Sequence, residues 1–289
     1  AKASSVTYDE LITDAAKRLA QSGIETPRRE ARLLIALAAD LSTAQLIVRG
    51  NQAASGVITA RFEEMVCRRE GREPFAHIAG FRSFYGLDFI SDARALVPRP
   101  DSEVVVEAAL ERMPRGRGVR IADLGAGSGC LLVALLHTRG GASGVGVEAS
   151  AEAAGLALEN IKRHRLEDRA AIVAGDWRNW TGWGDVDLIV SNPPYISSTE
   201  IEQLDPEVRL HDPRAALDGG ADGLEAYRSI FTIAADRMKV GAWLVLEIGF
   251  DQRAAVTDLA KQAGLGEIGS GKDLGGNDRV VWGQVTHTK

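Results

Sequence analysis

Cysteine is nearly absent from this chain: Cys67 and Cys130 are the only two, in dissimilar contexts, with no CxxC or Cys/His spacing. That excludes a disulfide-stapled secreted scaffold and a thiolate zinc site, and it points to a reduced, cytoplasmic protein without a metal. Long apolar runs are missing as well. None approaches the ~20 residues a membrane span needs, and residues 1–10 lack the basic-then-apolar pattern of an export signal. There is no excess of positive charge either. A net charge of −6 leaves no broad cationic surface for duplex nucleic acid or an anionic membrane, so neither is expected as a direct partner. The histidines His77, His137, His164, His211 and His287 are scattered and read as surface or packing residues. No internal repeat or low-complexity tract stands out.

What is present is material for a sizeable core, with 289 residues of which 45% are hydrophobic. Residues 8–69 carry helical spacing in Leu11, Ala15, Leu19 and then Ala31, Leu34, Leu37, Leu41, with Thr26-Pro27 a good helix start. Further helices fit 43–48 and 57–69, giving a small bundle suited to docking. Arg68, Arg69 and Arg72 cluster at its end, but Glu70 and Glu73 interleave, so a solvated face is expected. Aromatic and β-branched residues over 75–89, broken by Gly80 and Gly86, predict a β-hairpin linker. A helix follows over 102–112, capped by Asp101 or Ser102.

From residue 119 onward strand and helix patterns alternate. Strands are expected at 119–124, 144–148, 171–175, 186–192, 242–248 and 279–285, and helices at 130–136, 151–164, 224–238 and 252–263. Such alternation predicts an α/β fold with a doubly wound, mostly parallel sheet. Ligands of such sheets gather beyond the carboxyl ends of the strands, where the signal residues here fall.

One of those signals is Asn192-Pro193-Pro194-Tyr195, directly after the apolar run 187–191. Each proline fixes its own φ and lacks an N–H, and the residue before a proline is pushed out of the α region, so the turn is stiff. Its free polar groups are carbonyls, with the Asn192 side-chain oxygen beside them. A neutral –NH2 group could give both hydrogens to these acceptors while Tyr195 offers a ring face. A plain Pro-Pro loop between strand and helix is the structural alternative.

The second signal is Asp123-Leu124-Gly125-Ala126-Gly127-Ser128-Gly129, between the first strand of the sheet and a helix. Glycines let backbone approach a ligand, and the helix start presents free N–H groups. Glu148, at the end of the next strand, is placed to accept from ribose hydroxyls. Gly175-Asp176-Trp177 after the third strand completes the set, with Asp176 for an adenine amino group and Trp177 for the ring. Together these indicate an adenosine-containing cofactor. The spacing is GxGxG and not the GxGxxG of dinucleotide enzymes.

This set resembles the class I S-adenosylmethionine-dependent methyltransferases. More narrowly, the chain resembles the release-factor glutamine N5-methyltransferase family, which methylates the glutamine of the Gly-Gly-Gln loop in class I peptide-chain release factors. The residues that carry the likeness run nearly end to end: Val97-Pro98-Arg99-Pro100-Asp101-Ser102-Glu103, the glycine loop, the NPPY turn, Asp212-Pro213-Arg214-Ala215-Ala216-Leu217, Gly219-Gly220-Ala221-Asp222-Gly223-Leu224 and Glu247-Ile248-Gly249.

The resemblance implies S-adenosyl-L-methionine as cofactor, with S-adenosyl-L-homocysteine as product. Gly125 to Gly129, Glu148, Trp177 and Asn192 would contact it, and Asn192, Pro193, Pro194 and Tyr195 would hold the substrate glutamine. It implies three segments: a helical substrate-docking domain at 1–73, a hairpin linker at 74–96 and the methyltransferase domain at 97–289. The partner expected is a release factor, met by a monomeric cytoplasmic enzyme. Two departures stand out: Glu148 where the family usually has Asp, and Asp212 where Glu is common. Cys130 reads as a small packing residue and not a nucleophile.

An amide nitrogen is a poor nucleophile, so alignment and electrostatics are the expected contribution. Asn192 Oδ1 and the Pro193 carbonyl would accept the two amide hydrogens and aim the nitrogen for in-line displacement. Three rivals remain. A DNA amino-group methyltransferase would use NPPY equally well but wants a basic target-recognition region. A non-catalytic cofactor-binding adaptor conflicts with the intact motifs, and an NAD-dependent dehydrogenase conflicts with GxGxG.

Overall fold

The computed structural model describes residues 6–116 and 118–287. Residues 1–5, half of the stretch read above for an export signal, lie outside them. The described residues divide into two compact units, residues 6–80 with 205–211 and residues 81–116, 118–204 and 212–287.

The smaller unit begins with the helices α1 (Tyr8–Gln21), α2 (Pro27–Ala39), α3 (Thr43–Arg49), α4 (Gly56–Glu70) and α5 (Phe75–Ala79). Thr7 and Glu10 form a reciprocal capping box on α1, as Ser42 and Gln45 do on α3. The apolar stripes meet in a core around Leu19, Leu34, Ile35, Phe62 and Val66. Thr26 makes no capping hydrogen bond, and α2 starts on Pro27 alone. The helical turn α5 occupies the first part of the segment expected to be a hairpin. Pro74 precedes it and Gly80, at φ 78°, ends it in the left-handed conformation.

The larger unit opens with a true hairpin, β1 (Phe81–Phe84) and β2 (Leu87–Ile90), turning at Tyr85 and Gly86. After a 3-10 turn at Pro100–Ser102 comes α6 (Glu103–Arg112), which makes no side-chain capping bond at Ser102. Then β3 (Arg120–Leu124), α7 (Cys130–Thr138), β4 (Ser143–Glu148), α8 (Ala151–Arg163), β5 (Ala170–Ala174) and β6 (Leu188–Ser191) follow. The chain continues through α9 (Pro206–His211), α10 (Glu225–Arg237), β7 (Trp243–Glu247), α11 (Arg253–Gln262), β8 (Gly266–Lys272) and β9 (Asp278–Gln284).

The sheet runs β5-β4-β3-β6-β7-β9-β8, parallel from β5 to β7, with β9 antiparallel to both its neighbours. Two apolar layers cover its faces, one centred on Leu132, Leu135 and Val106, the other on Ile230, Phe231 and Trp183. This is the expected doubly wound α/β fold, with β8 added at the edge. Strand order reverses between β3 and β6, where Leu124 and Ser191 are register partners. The loops leaving those two strands therefore emerge side by side, at the place where such sheets bind ligands.

Helix α9 falls within the smaller unit. Arg69, whose side chain is 7% exposed, donates to Glu30 Oε2 at 2.5 Å and to Glu207 Oε1 at 3.0 Å, and Arg72 donates to Glu207 Oε2 at 2.6 Å. Arg68 pairs with Glu73. The cluster expected to be a solvated face is thus largely an internal ion-pair network. Its acidic partners lie 39 and 138 positions from Arg69, beyond any local pattern.

Candidate functional site

The loops after β3 and β6 border one cavity in the larger unit. Gly125, Ala126, Gly127 and Ser128 line it beside Glu148, Trp177 and Asn192. Ser191 Oγ donates to the Leu124 carbonyl at 2.6 Å and ties the two strand ends together. Gly125, Gly127 and Gly129 have φ of 70°, 53° and 79°, the left-handed region that glycine enters at least cost.

The acids of the site differ in their surroundings. Glu148 is engaged by backbone: the Gly127 N–H donates to Oε2 and the Ser150 N–H to Oε1, each at 2.8 Å. Its longer side chain is thus spanned by two amides that fix its plane, leaving lone pairs on both oxygens. Asp123 is 1% exposed, and among the described residues neither carboxylate oxygen has a partner that meets the geometry of a hydrogen bond. Burial pushes its pKa up to about 7, the Leu132 amide offsetting part of this and Glu148 adding to it. A buried, unsatisfied carboxylate is costly, and in a cavity wall it marks a place for a cation.

Trp177 lines the cavity with its indole N–H buried and without a partner among the described residues. The Trp183 indole donates to the Trp177 carbonyl at 3.0 Å and holds that turn. Asp176 is not in the lining. Its oxygens accept from the Arg178 backbone and guanidinium, each at 2.9 Å, closing the turn that carries Trp177. Cys130 also faces the cavity, and burial pushes its thiol up to about 12, which leaves it inert as a nucleophile.

Within the NPPY turn, Asn192 and Pro194 line the cavity, while Pro193 is buried. Tyr195 is placed differently from Asn192 and Pro194. Its ring packs against the core on one face of the sheet and does not line the cavity. Its hydroxyl donates to Glu247 Oε1 at 3.2 Å. Burial raises the phenol above its ordinary pKa, and a buried hydroxyl needs an acceptor, which Glu247 provides at the end of β7.

Sequence reasoning assigned no role to the far wall. Ala95, Val97, Pro98 and Arg99 line it together with Pro213 and Ala215. Arg99 Nη2 donates to Asp212 Oδ2 at 2.8 Å, so the two segments are held by an ion pair whose acid is buried. Both stretches belong to the motifs that carry the family resemblance, and only the fold brings them to one place. Among the described residues no group of three or more His, Cys, Asp or Glu side chains is placed to hold a metal ion. None of the described helices is by itself long and apolar enough to cross a membrane.

Comparison with known proteins gives concordant results. Residues 10–80 match the family described as PrmC N-terminal domain, and residues 102–211 the one described as Methyltransferase small domain. The chain is 41% identical over 271 residues to the release factor glutamine methyltransferase of Caulobacter vibrioides, covering 94% of each chain. It is 41% identical over 281 residues to that of Rhodospirillum rubrum, covering 97% of this chain and 86% of the relative.

Among solved structures, the hMettl16 catalytic domain, crystallised with an MAT2A 3′UTR hairpin, superposes with TM-score 0.58 at 15% identity over 80% of this chain and 82% of that one. A methyltransferase from Pyrococcus furiosus gives 0.52 at 18% identity over 70% and 90%. At such identities these two structures establish the fold alone.

Proposed function

The chain belongs to the release factor glutamine methyltransferase family, and on that premise we propose that it methylates the side-chain amide nitrogen of the Gly-Gly-Gln glutamine in class I peptide-chain release factors, with S-adenosylmethionine as donor. The observation that carries the reading is that Asn192 and the glycine loop border one cavity.

The residues present fit the cofactor. Asp123 offers an unsatisfied buried carboxylate to the ammonium of an amino-acid moiety. Glu148, its plane fixed by two amides, has lone pairs for ribose hydroxyls. Trp177 supplies a ring face for adenine, and Asp176 holds the turn that carries it. When bound, the cofactor supplies a methyl group on a sulfonium, already activated for displacement.

The chain's own contribution is alignment. Asn192 Oδ1 and the Pro193 carbonyl accept the two hydrogens of the glutamine amide and direct its nitrogen toward the donor. The same oxygens stabilise positive charge as it develops on nitrogen. The surplus proton leaves to water.

The acidic charge balance weighs against a DNA substrate, and the intact glycine loop and NPPY turn weigh against a non-catalytic adaptor. Transfer of tritium from labelled cofactor distinguishes the three. The reading expects label in release factor and none in DNA. Label in DNA alone, or in neither, overturns it.

A further inference from the structure

The NPPY turn is gripped from its protein side by residues that do not reach the cavity. Gln252, the residue before α11, uses both ends of its side-chain amide. Its Nε2 donates to the Tyr195 carbonyl at 2.9 Å and to the Gly223 carbonyl at 3.2 Å, and its Oε1 accepts from the Gly249 N–H at 2.9 Å. One side chain thus joins the turn after β6, the glycine-rich segment before α10 and the loop after β7.

The glycine-rich segment lies directly on the turn. A Cβ at Gly223, where φ is +72°, would stand 2.3 Å from the Tyr195 oxygen and 2.8 Å from Gln252 Nε2. A Cβ at Gly219 would stand 2.8 Å from the Pro194 oxygen. Backbone without side chains is required at both positions, which gives Gly219 and Gly223 a physical reason.

A second hold comes through the ring. The Tyr195 hydroxyl donates to Glu247 Oε1 at 3.2 Å, and the Tyr227 hydroxyl donates to the Glu247 backbone carbonyl at 2.7 Å. On the other side of the turn Ser191 is tied to Leu124. Asn192 and Pro193, the residues assigned the two accepting oxygens, therefore lie between fixed points on both flanks.

We propose that Gln252, with Glu247, is a positioning residue for methyl transfer: the pair clamps the turn from behind and sets the direction in which the Asn192 and Pro193 oxygens receive the substrate amide. The inference rests on the functional reading above and deepens it. A small misdirection of the amide costs rate steeply, because in-line displacement tolerates little angular error. Neither Gln252 nor Glu247 is itself part of the cavity lining, so cofactor affinity should change far less than rate when the clamp is loosened.

The test compares wild type with Gln252→Ala, Gln252→Glu and Gly223→Ala, after thermal melting has confirmed folding, on purified release factor. Gln252→Glu keeps the acceptor for Gly249 but removes both donors, at almost unchanged volume. The clamp predicts that kcat falls about 10- to 100-fold in all three, while KM for release factor and Kd for S-adenosylhomocysteine by calorimetry stay within about twofold. Glu247→Gln, which keeps an acceptor for the Tyr195 hydroxyl, should recover kcat relative to Glu247→Leu.

Wild type active and Gln252→Glu within about twofold of its kcat overturns the clamp. Equal losses in kcat and cofactor affinity overturn it too, since that is how a generally loosened domain behaves. Inactive wild type overturns the functional reading instead, so the two failures are distinguishable.

Discussion

At the scale of single residues, Asn192 and Asp123 hold opposite positions. Asn192 is neutral, and on the proposed reading its chemistry lies in one side-chain oxygen next to a proline-fixed turn. Replacing it with Ala removes an acceptor that gains importance as charge develops on the substrate nitrogen. By analogy with the loss of an oxyanion-hole donor, kcat should fall about 10²–10³-fold. Cofactor affinity should fall far less than kcat, which steady-state kinetics and calorimetry together can establish.

Asp123 is instead a charge in a place that disfavours charge. Its pKa of about 7 stands above the ordinary 3.8, so between those values the folded protein holds a proton that the unfolded chain has released. This group therefore favours folding most at low pH, and its contribution is lost as pH rises through about 7. Asp123→Asn, freed of that cost, should melt above wild type near pH 8, with the difference shrinking as the pH falls to about 5. Cofactor affinity should run the other way. Wild type should bind more tightly as the carboxylate ionises to meet an ammonium, whereas Asp123→Asn should bind weakly with a flat profile in calorimetry across the same range.

At the scale of elements, the glycine loop works through backbone shape. Gly129 precedes α7 at φ +79°, with an ideal Cβ 3.3 Å from that of Ala157 on α8. Gly129→Ala adds left-handed strain of about 1–2 kcal/mol and presses on α8. Lower thermal stability and weaker cofactor binding should appear together, and full affinity in a destabilised protein would separate the loop from the site.

Which elements were legible in the sequence follows from the same physics. The parallel strands β3, β4, β6 and β7 are short apolar runs bounded by Asp, Asn, Gly and Glu, and they declare themselves. Strand β8 does not: Gly266, Gly269 and Gly271 leave Ile268 as its apolar residue, and it exists because β9 offers a partner. The turn α5 was hidden inside aromatic residues that also suit a strand. Pro74 and Gly80 settle its conformation, and that punctuation could have been read. The NPPY turn was legible as a stiff corner, but the inward turn of Tyr195 was not, because its acceptor Glu247 lies 52 positions away.

At the scale of the whole molecule, the alternation of strand and helix patterns carried the fold class, and the composition supplied only the material for a sizeable core. Long-range ion pairs stayed out of reach. In the smaller unit Arg69 lies buried between Glu30 and a glutamate that arrives on the segment 205–211. Arg69→Leu leaves two partly buried carboxylates short of a partner and should cost about 3–5 kcal/mol, read as a fall in the urea midpoint. An unchanged midpoint would show that Arg72 and solvent suffice.

Under the proposed reading, an amide nitrogen is methylated in the cavity bordered by the loops of β3 and β6. The most direct test is peptide mapping by mass spectrometry of a class I release factor after incubation with this enzyme and S-adenosylmethionine. One added methyl on the side chain of the Gly-Gly-Gln glutamine is the predicted result, absent when Asn192→Ala replaces wild type over the same interval. A methyl found on any other residue, or an unmodified loop glutamine after complete cofactor turnover, would contradict it.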